Sequence, residues 1–378
     1  VDPGSNSGNL TLALITPITG ALTAGGAALN LNLTPAGQRA LVTFSGSVGQ
    51  YLTLSTGGNS IGTVGISLIS PSGALLASST VTTASPVVQL PALPATGTYT
   101  LLVDPANASG SVSLTLTAAV TANIPVNTNV LVTATPPDRV VVTFSGSPGQ
   151  YLAFTTQEGQ NGGTGNISGI QTTVYAPDGT NLNGTALMTP PSPSPTYSFS
   201  CQLEITGCAG NSVVNLGPLP FYSQGTTFTA VIQPTGGTGP LSFYVTTPFA
   251  SPDGPTVNGP SVTEDVIYPG QGITLPVSLT AGQQILITLS EQNGNLPAVH
   301  ATVLGPHGTV VANYIALDAT CTSPCNINGY SGNSGQFTFG ADVSGTWTIL
   351  LQQMTQSSGS NDYGPLDGGN ITVQLTTQ

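Results

Sequence analysis

The chain has 378 residues, of which only 4% are charged, and its 14 acidic residues against two arginines give a formal charge of −12. The chain contains no lysine, which excludes Schiff bases and Lys–Asn isopeptide cross-links, and the lack of clustered cations argues against nucleic acid or an anionic membrane surface as a partner. Frequent alternating apolar runs argue against a disordered chain.

The first predicted element is a β-strand at Gly8–Thr16, in which Leu10, Leu12 and Leu14 share one face through period-2 alternation. Three later stretches repeat this pattern, each at the end of a long block of sequence: 110–118, 239–247 and 369–377. We call these stretches closing strands. The first copy has no block in front of it in this sequence, so four closing strands face three blocks.

A second repeated segment carries identical FSGS-x-GQYL motifs at Phe44–Leu52 and Phe144–Leu152. A weaker third copy spans Gly270–Ser290, and the only two arginines, Arg39 and Arg139, occupy the same position of the first two copies. Two alternating runs joined by a Gly/Ser turn predict a β-hairpin whose glycines adopt positive φ.

Each block then carries two further turns, both of which predict strands. A Pro-x-Gly turn follows an alternating strand at three places: Pro71, Pro177 and Pro306. A Gly-Thr turn then opens a strand with one large aromatic residue in each block: Tyr99, Phe228 and Trp347. We expect a core role for Trp347, the only tryptophan, with a ligand platform as the less favoured alternative.

Dense Gly and Pro punctuation, short strand spacing and the lack of a convincing helix predict an all-β fold. We expect three tandem antiparallel β-sandwiches of jelly-roll or Ig-like type. The predicted boundaries are 1–17 for an N-terminal extension with a candidate donor strand, followed by 18–120, 121–248 and 249–378 for the three sandwiches.

The second and third blocks contain longer insertions, and each insertion holds one cysteine pair: Cys201 with Cys208, and Cys321 with Cys325. The short spacings predict two local disulfides that staple the insertions, and therefore an oxidising compartment. A zinc site with all four thiolates is the alternative, although neither pair has Cys-x-x-Cys spacing. Since no apolar run is long enough to span a membrane, we expect a secreted chain at the cell surface, either mature or a fragment.

Candidate catalytic groups are few, because His300 and His307 are the only histidines and both are expected at the surface. No HExxH motif is present, and a Ser/His/Asp triad would have to use one of these two histidines, so the chain is predicted not to be an enzyme, although paired carboxylates for glycoside hydrolysis stay open. A polar loop holds a weak calcium candidate in Asp362 and Asp367, with a plain turn as the alternative. No other metal or cofactor is predicted. Six N-x-Ser/Thr sequons leave glycans open as partners: Asn9, Asn32, Asn107, Asn166, Asn183 and Asn370.

Three of these motifs together resemble a bacterial family, the pre-peptidase C-terminal (PPC-like) β-sandwich repeats of secreted peptidases and RHS-type surface proteins. They are the hairpin segment Gly37–Gln50, the Pro-x-Gly turn at Pro71 and the segment Leu93–Pro105. The first block matches best and the third least. The resemblance implies a jelly-roll-like sandwich with an accessory, non-catalytic role. Some relatives bind calcium near the domain start, but the scattered acids here do not map onto such a site.

The surplus closing strand leads to a functional hypothesis. A strand that pairs with a neighbouring subunit makes a heterologous, open contact, and therefore a head-to-tail homopolymer. We predict a self-assembling extracellular filament or surface layer, with Leu10, Leu12 and Leu14 at the subunit interface and with the C-terminal strand as the alternative donor. The alternative function is a non-catalytic stalk, or a carbohydrate- or matrix-binding module of a larger secreted or surface protein.

Overall fold

The computed structural model describes residues 14–158, 169–182, 212–236, 239–266, 268, 270–291, 299–317, 334–353 and 370–378. These residues form 26 β-strands, and the described ranges contain no helix. Accordingly, no helix in these ranges is long and apolar enough to cross a membrane. The strands make six sheets in three face-to-face pairs, so the predicted fold class of three β-sandwiches is confirmed.

The first sandwich packs a five-stranded sheet, β1-β3-β8-β5-β6, against a four-stranded sheet, β2-β9-β4-β7. Its strands are β1 (Ile18–Ala21), β2 (Leu29–Leu33), β3 (Ala40–Gly46), β4 (Leu52–Gly57), β5 (Val64–Ile69), β6 (Leu75–Val81), β7 (Val87–Gln89), β8 (Gly97–Asp104) and β9 (Gly110–Ala118).

The second sandwich has two four-stranded sheets, whose strand orders are β10-β12-β16-β14 and β11-β17-β13-β15. Its strands are β10 (Val120–Asn123), β11 (Thr128–Ala134), β12 (Val140–Ser145), β13 (Leu152–Glu158), β14 (Gly169–Tyr175), β15 (Ser212–Leu216), β16 (Thr227–Gly236) and β17 (Gly239–Thr246).

The third sandwich repeats the first, with sheets β18-β20-β25-β22-β23 and β19-β26-β21-β24. Its strands are β18 (Phe249–Ala250), β19 (Val262–Asp265), β20 (Ile273–Leu279), β21 (Gln284–Glu291), β22 (Val299–Leu304), β23 (Val310–Leu317), β24 (Ser334–Gly340), β25 (Gly345–Gln353) and β26 (Asn370–Thr377).

The strand order is that of a jelly roll. When β2 to β9 are counted as strands one to eight, the two sheets read 1-8-3-6 and 2-7-4-5. The third sandwich has the same order, and the second shows it in the seven corresponding strands that the described residues contain. One strand pair in each sandwich departs from the antiparallel prediction, because a short first strand lies parallel to the third: β1 with β3, β10 with β12, and β18 with β20.

Three of the predicted closing strands are β9, β17 and β26, and each lies inside the second sheet of its sandwich. Their alternate side chains enter three separate hydrophobic cores; in β9 these are Val112, Leu114 and Leu116, all at most 1% exposed. When residues are grouped by their contacts in space, the protein divides into two compact units. The first consists of residues 1–119 with 137–139, and the second of residues 120–136 with 140–378.

The predicted hairpin around FSGS-x-GQYL is wrong. Strands β3 and β4 lie in opposite sheets, as do β12 and β13 and β20 and β21, so the turn crosses the core instead of joining neighbouring strands. The prediction of a positive φ is confirmed for Gly49, whose φ is 76°. The turn is closed by Gln50, whose Oε1 accepts the Ser47 N–H at 3.0 Å, while Gly49 N–H donates to Leu93 O at 2.7 Å. A Gly turn between two alternating runs is compatible with both arrangements, so the pattern alone did not distinguish them.

The predicted Pro-x-Gly and Gly-Thr turns are confirmed, and the two turns pack against each other. The Pro-x-Gly turns join β5 to β6 and β22 to β23 as true hairpins. Gly97, at the Gly-Thr turn, lies so close to the first of them that an added Cβ would be 2.8 Å from Pro71 Cγ, and Gly345 stands at the same distance from Pro306. Glycine is therefore required where the two turns meet.

The core role predicted for Trp347 is confirmed, because all three aromatic residues after the Gly-Thr turns are fully buried: Tyr99, Phe228 and Trp347. Two of them also fix the preceding loop through a hydrogen bond to the carbonyl four residues back. The Tyr99 hydroxyl donates to Ala95 O at 2.6 Å, and Trp347 Nε1–H donates to Val343 O at 3.2 Å. A buried Tyr or Trp needs such a partner for its polar end.

The expected surface position of His300 is wrong, whereas His307 is exposed in its turn. His300 is 7% exposed on the outward side of β22, and its neighbours on that side, Thr302, Leu350 and Gln352, are also buried. Strand alternation correctly points His300 away from the core, but this part of the outer surface is covered in the fold. Burial lowers the pKa of His300 to about 4.

Lowering the pH from about 6.5 to about 5 is therefore expected to cost the third sandwich about 2 kcal/mol of unfolding free energy through His300. Between the two pKa values the unfolded chain binds a proton that the folded chain does not, so stability present above the unfolded pKa is lost as the pH falls. Denaturant titrations of His300→Gln should show a shallower pH slope, with His307→Gln as the control. An equal slope in all three proteins would contradict this assignment.

Candidate assembly surfaces

A short turn precedes the third strand of each repeat, and we call it the corner turn: residues 35–39, 136–139 and 268–272. The second and third corner turns pack against the sandwich that comes before them in the chain. In the second repeat, residues 137–139 belong to the first compact unit rather than to the unit that holds β12. The corner turns therefore act as contact elements as well as connections.

Arg139 anchors the second corner turn to the first sandwich. The residue is 6% exposed, and its guanidinium Nη2 donates to Leu52 O at 2.7 Å and to Leu90 O at 2.6 Å. The same group lies 5.1 Å from the centre of the Tyr51 ring, within the range of a cation–π contact. Burying a charge is costly unless hydrogen bonds replace water, and the carbonyl oxygens at these strand ends provide that replacement.

Polar side chains on the outside of the second sheet complete this contact. Gln89 Nε2 donates to Pro137 O at 3.1 Å, and its Oε1 accepts the Thr53 hydroxyl at 2.7 Å, which fixes the orientation of the amide. The Thr117 hydroxyl donates to Asp138 Oδ1 at 2.6 Å. Thr53 is only 1% exposed although it points away from the core.

The third corner turn packs against the second sandwich in the same way. Gly270 sits so close to β13 that a Cβ added to it would lie 2.1 Å from Thr155 Oγ1. Asn215 Nδ2 donates to Gln353 O at 2.7 Å, while Gln353 Oε1 accepts the Gly270 N–H at 3.2 Å. Gln271 Nε2 donates to Thr247 O at 3.2 Å. No side chain larger than glycine fits at position 270 without a shift of Thr155.

The two contacts use equivalent positions of the second sheet, which we call the receiving face. It consists of three outward-pointing residues that are paired with one another on three neighbouring strands. They are Thr53, Gln89 and Thr117 in the first sandwich, and Ala153, Asn215 and Thr246 in the second. The amides of Gln89 and Asn215 hold the same register position, and both donate to a backbone carbonyl of the next repeat. Ala153 and Thr246 are 3% and 0% exposed.

The receiving face of the third sandwich consists of Leu286, Thr338 and Thr376 by the same register. Thr338 is exposed, and Leu286 and Thr376 are half-buried. This face is thus more open than the two receiving faces that hold a corner turn.

The first corner turn is exposed as well. Arg39, which stands at the position of Arg139, has a side chain that is 59% exposed and forms an ion pair with Asp104 at 2.8 Å. Gln38 Nε2 donates to Thr16 O at 3.0 Å. Beside the ion pair lies an open groove of about 780 Å³ on the outer surface of β3 and β8, with Ile15, Pro17, Leu41 and Leu102 among its lining residues.

Of the residues proposed from sequence for the subunit interface, only Leu14 is described. Its side chain is fully exposed, and residues 14–16 belong to no strand, so the predicted strand does not extend to Thr16. Leu10 and Leu12 lie outside the described residues. The same is true of the proposed disulfide and calcium residues: Cys201, Cys208, Cys321, Cys325, Asp362 and Asp367.

Groups with catalytic or metal-binding potential are not clustered in the part of the chain that the structure describes. His300 Nδ1 lies 3.5 Å from Thr302 Oγ1, and its low pKa keeps the ring neutral in a buried position. No group of three or more His, Cys, Asp or Glu side chains that would hold a metal ion occurs among the described residues. Burial raises the pKa of Tyr151 to about 12, so its hydroxyl stays protonated.

No protein-family model matches the chain, and no curated protein matches it. Solved structures similar to it include PliG, a periplasmic inhibitor of g-type lysozyme from Aeromonas hydrophila, at 19% identity over 27% of this chain and 99% of that one, with a TM-score of 0.21. A triple jelly-roll turret protein of an archaeal virus is 10% identical over 91% and 82% of the two chains, with a TM-score of 0.20. The M60 catalytic domain of Clostridium perfringens ZmpB with its two CBM51 domains is 10% identical over 92% and 34%, with a TM-score of 0.19. These similarities carry no functional argument.

Proposed function

We propose that this protein is the subunit of an extracellular filament or surface layer that assembles head to tail by β-strand complementation. The observation that carries the proposal is a conflict around Gly8–Thr16. This stretch has the pattern of a closing strand, yet β9 already occupies the closing position of the first sandwich, between β2 and β4. The described end of the stretch joins no sheet, and Leu14 is fully exposed.

The chain spacing supports the same proposal. Only Ala119 separates the closing strand β9 from the next first strand, β10, and only two residues separate β17 from β18. Pro17 alone separates the Gly8–Thr16 stretch from β1 in the same manner. The stretch and β1 therefore stand in the same relation as a closing strand and the first strand of the following sandwich.

The acceptor on the neighbouring subunit has to be an edge or a vacated position. In the third sandwich β26 fills the closing position, and the edge strands of that sheet are β19 and β24. A donated strand would pair with one of these edges or would displace β26. Edge strands present unpaired backbone groups, which favour pairing with another chain.

The other parts of the proposal follow from the sequence. We place the protein outside the cell, without a catalytic role, and among PPC-like repeat proteins, and we propose local disulfides in the two insertions. The near absence of basic residues suits a fibre that is exposed to trypsin-like proteases. The two sites that such proteases would cut, after Arg39 and Arg139, each lie directly before the first residue of a strand.

Removal of residues 1–17 is expected to abolish assembly, as seen by negative-stain electron microscopy of the purified chain. A sharper variant replaces Leu10, Leu12 and Leu14 with serine, since these three side chains would supply the buried apolar face of the donated strand. The matched control replaces Thr11 and Ala13, on the opposite face, with serine and is expected to assemble normally.

Filaments that survive the deletion would move the donor role to the C-terminal strand. Monomeric particles in every sample, including the unchanged protein, would contradict the polymer. They would favour the accessory stalk or binding module.

A further inference from the structure

We infer that the receiving face of the third sandwich binds the first corner turn of a second copy of this chain. The inference rests on the proposed function, and it adds to strand donation a second, separate contact between subunits. Within one chain the pairing of a corner turn with the preceding receiving face occurs twice, through residues 137–139 and through residues 268–272. Among the described residues, the first corner turn and the third receiving face are the two that are not paired with each other or with another repeat in this way.

The two remaining surfaces are unlike each other, and this decides the geometry of assembly. A contact between different surfaces of identical subunits is heterologous and does not close by itself, so it extends into a head-to-tail polymer. The pairing therefore has the same direction as the proposed strand donation. It also sets subunits in the order that the repeats already follow within the chain.

Arg39 supplies the specific chemistry. It holds the position of Arg139, whose guanidinium donates to the carbonyls of Leu52 and Leu90. Leu52, the first residue of β4, and Leu90, the residue after β7, are paired between neighbouring strands, since Leu90 N–H donates to Leu52 O. The residues that pair at this place in the third sandwich are Ile285 and Phe339. Their carbonyls are the acceptors that we assign to Arg39 of the second copy.

Arg39 has a competing partner within its own subunit. The ion pair with Asp104 holds the guanidinium against β8, whereas the register position of Asp104 in the second sandwich is the neutral Gln233. Docking of Arg39 onto another subunit thus requires release from Asp104. Because the Arg39 side chain is 59% exposed and that of Asp104 is 30% exposed, water screens this ion pair and its loss costs little.

The composition of the third receiving face suits a contact between copies. Leu286 is its central residue, in place of Thr53 and Ala153, and the flanking Thr338 and Thr376 carry no charge. In a chain with a formal charge of −12, an uncharged face is where two copies approach with the least repulsion. The half-buried Leu286 would lose its remaining contact with water on docking.

The test uses two variants of the full chain, each of which blocks one surface. Arg39→Ala removes the donor of the corner turn and leaves the receiving face intact. Thr338→Arg places a long charged side chain on the receiving face and leaves Arg39 intact. Each variant alone is expected to raise the concentration for half-assembly by about tenfold or more in sedimentation velocity. At concentrations where neither variant assembles alone, a one-to-one mixture is expected to form dimers that do not grow, because only one pair of complementary docking surfaces remains.

Two controls separate docking from a general structural effect. Thr98→Arg makes the same substitution at an exposed position of β8 and is expected to assemble like the unchanged protein. Asp104→Asn releases Arg39 but keeps an oxygen for the Ala106 N–H, which Asp104 Oδ1 now accepts at 2.8 Å. Docking predicts opposite effects, weaker assembly for Arg39→Ala and stronger assembly for Asp104→Asn. If the ion pair has only a structural role, both substitutions remove it, and both are expected to change assembly in the same direction.

The outcomes distinguish this inference from the proposed function. Unchanged assembly of Arg39→Ala and Thr338→Arg, together with loss of assembly on deletion of residues 1–17, would overturn docking and leave strand donation in place. Loss of assembly in both point variants but not in the deletion would support docking and overturn strand donation. A monomeric unchanged protein at all concentrations would overturn both.

Discussion

Replacing Trp347 with alanine is expected to lower the free energy of unfolding of the third sandwich by about 3–5 kcal/mol. Trp347 is fully buried on β25 and packs against Phe339 at a ring distance of 5.7 Å. The substitution removes this contact and leaves a cavity between the two sheets. It also removes the donor to Val343 O, which fixes the loop before β25.

Circular dichroism during denaturant titration measures this change, because the variant has no tryptophan fluorescence. Fluorescence of the unchanged protein gives the reference midpoint, since its single tryptophan reports on the third sandwich alone. Trp347→Phe, which keeps most of the packing, should lose clearly less stability. Leu75→Ala, at a position 63% exposed on β6, is the surface control. A loss below about 1 kcal/mol in Trp347→Ala would contradict the core role.

The strands themselves could be read from the sequence because each has one buried face. In β9 apolar residues alternate with Thr and Ser, and in both β8 and β9 every second residue enters the core. Both strands are therefore visible as period-2 patterns. The turns at Pro71 and Gly97 were equally readable, since each demands a residue type that the chain supplies there.

The pairing of strands could not be read in the same way. Strands β3 and β4 follow each other with a tight turn, but their partners are β8 and β9, from much later in the chain. Periodicity shows that a strand has a buried face but not which strand lies beside it. A hairpin and a crossing turn bury the same alternate residues, and the difference becomes visible only when both sheets are present.

The candidate assembly surfaces could not be predicted from the sequence, for a related reason. Thr53 and Thr246 are polar residues at outward positions, so alternation assigns them to the surface, yet they are 1% and 0% exposed. Their burial depends on residues that are distant in the chain, such as residues 137–139, which contact Gln89 beside Thr53. One signal was present, namely the shared repeat position of Arg39 and Arg139, but one arginine is exposed and the other is buried, and nothing in the repeat pattern separates them.

That difference between the two arginines gives the second large effect. Arg139→Ala is expected to lower the free energy of unfolding of the first compact unit by about 3 kcal/mol, because each of its two hydrogen bonds joins a charged donor to a buried carbonyl. Arg39→Ala, measured under conditions where the protein is monomeric, is expected to cost less than about 1 kcal/mol, since its ion pair is solvent-exposed.

Denaturant titrations at low and high salt separate the two cases further. Salt screens the exposed Arg39–Asp104 pair but has little effect on a buried guanidinium held by carbonyl oxygens. Arg139→Met then distinguishes packing from hydrogen bonding, because it keeps a long apolar stem over Tyr51 and lacks the donors. If Arg139→Met is as stable as the unchanged protein, the stem alone holds the corner turn. A loss close to that of Arg139→Ala assigns the contact to the carbonyl bonds, and these are the bonds that Arg39 would form on a neighbouring subunit.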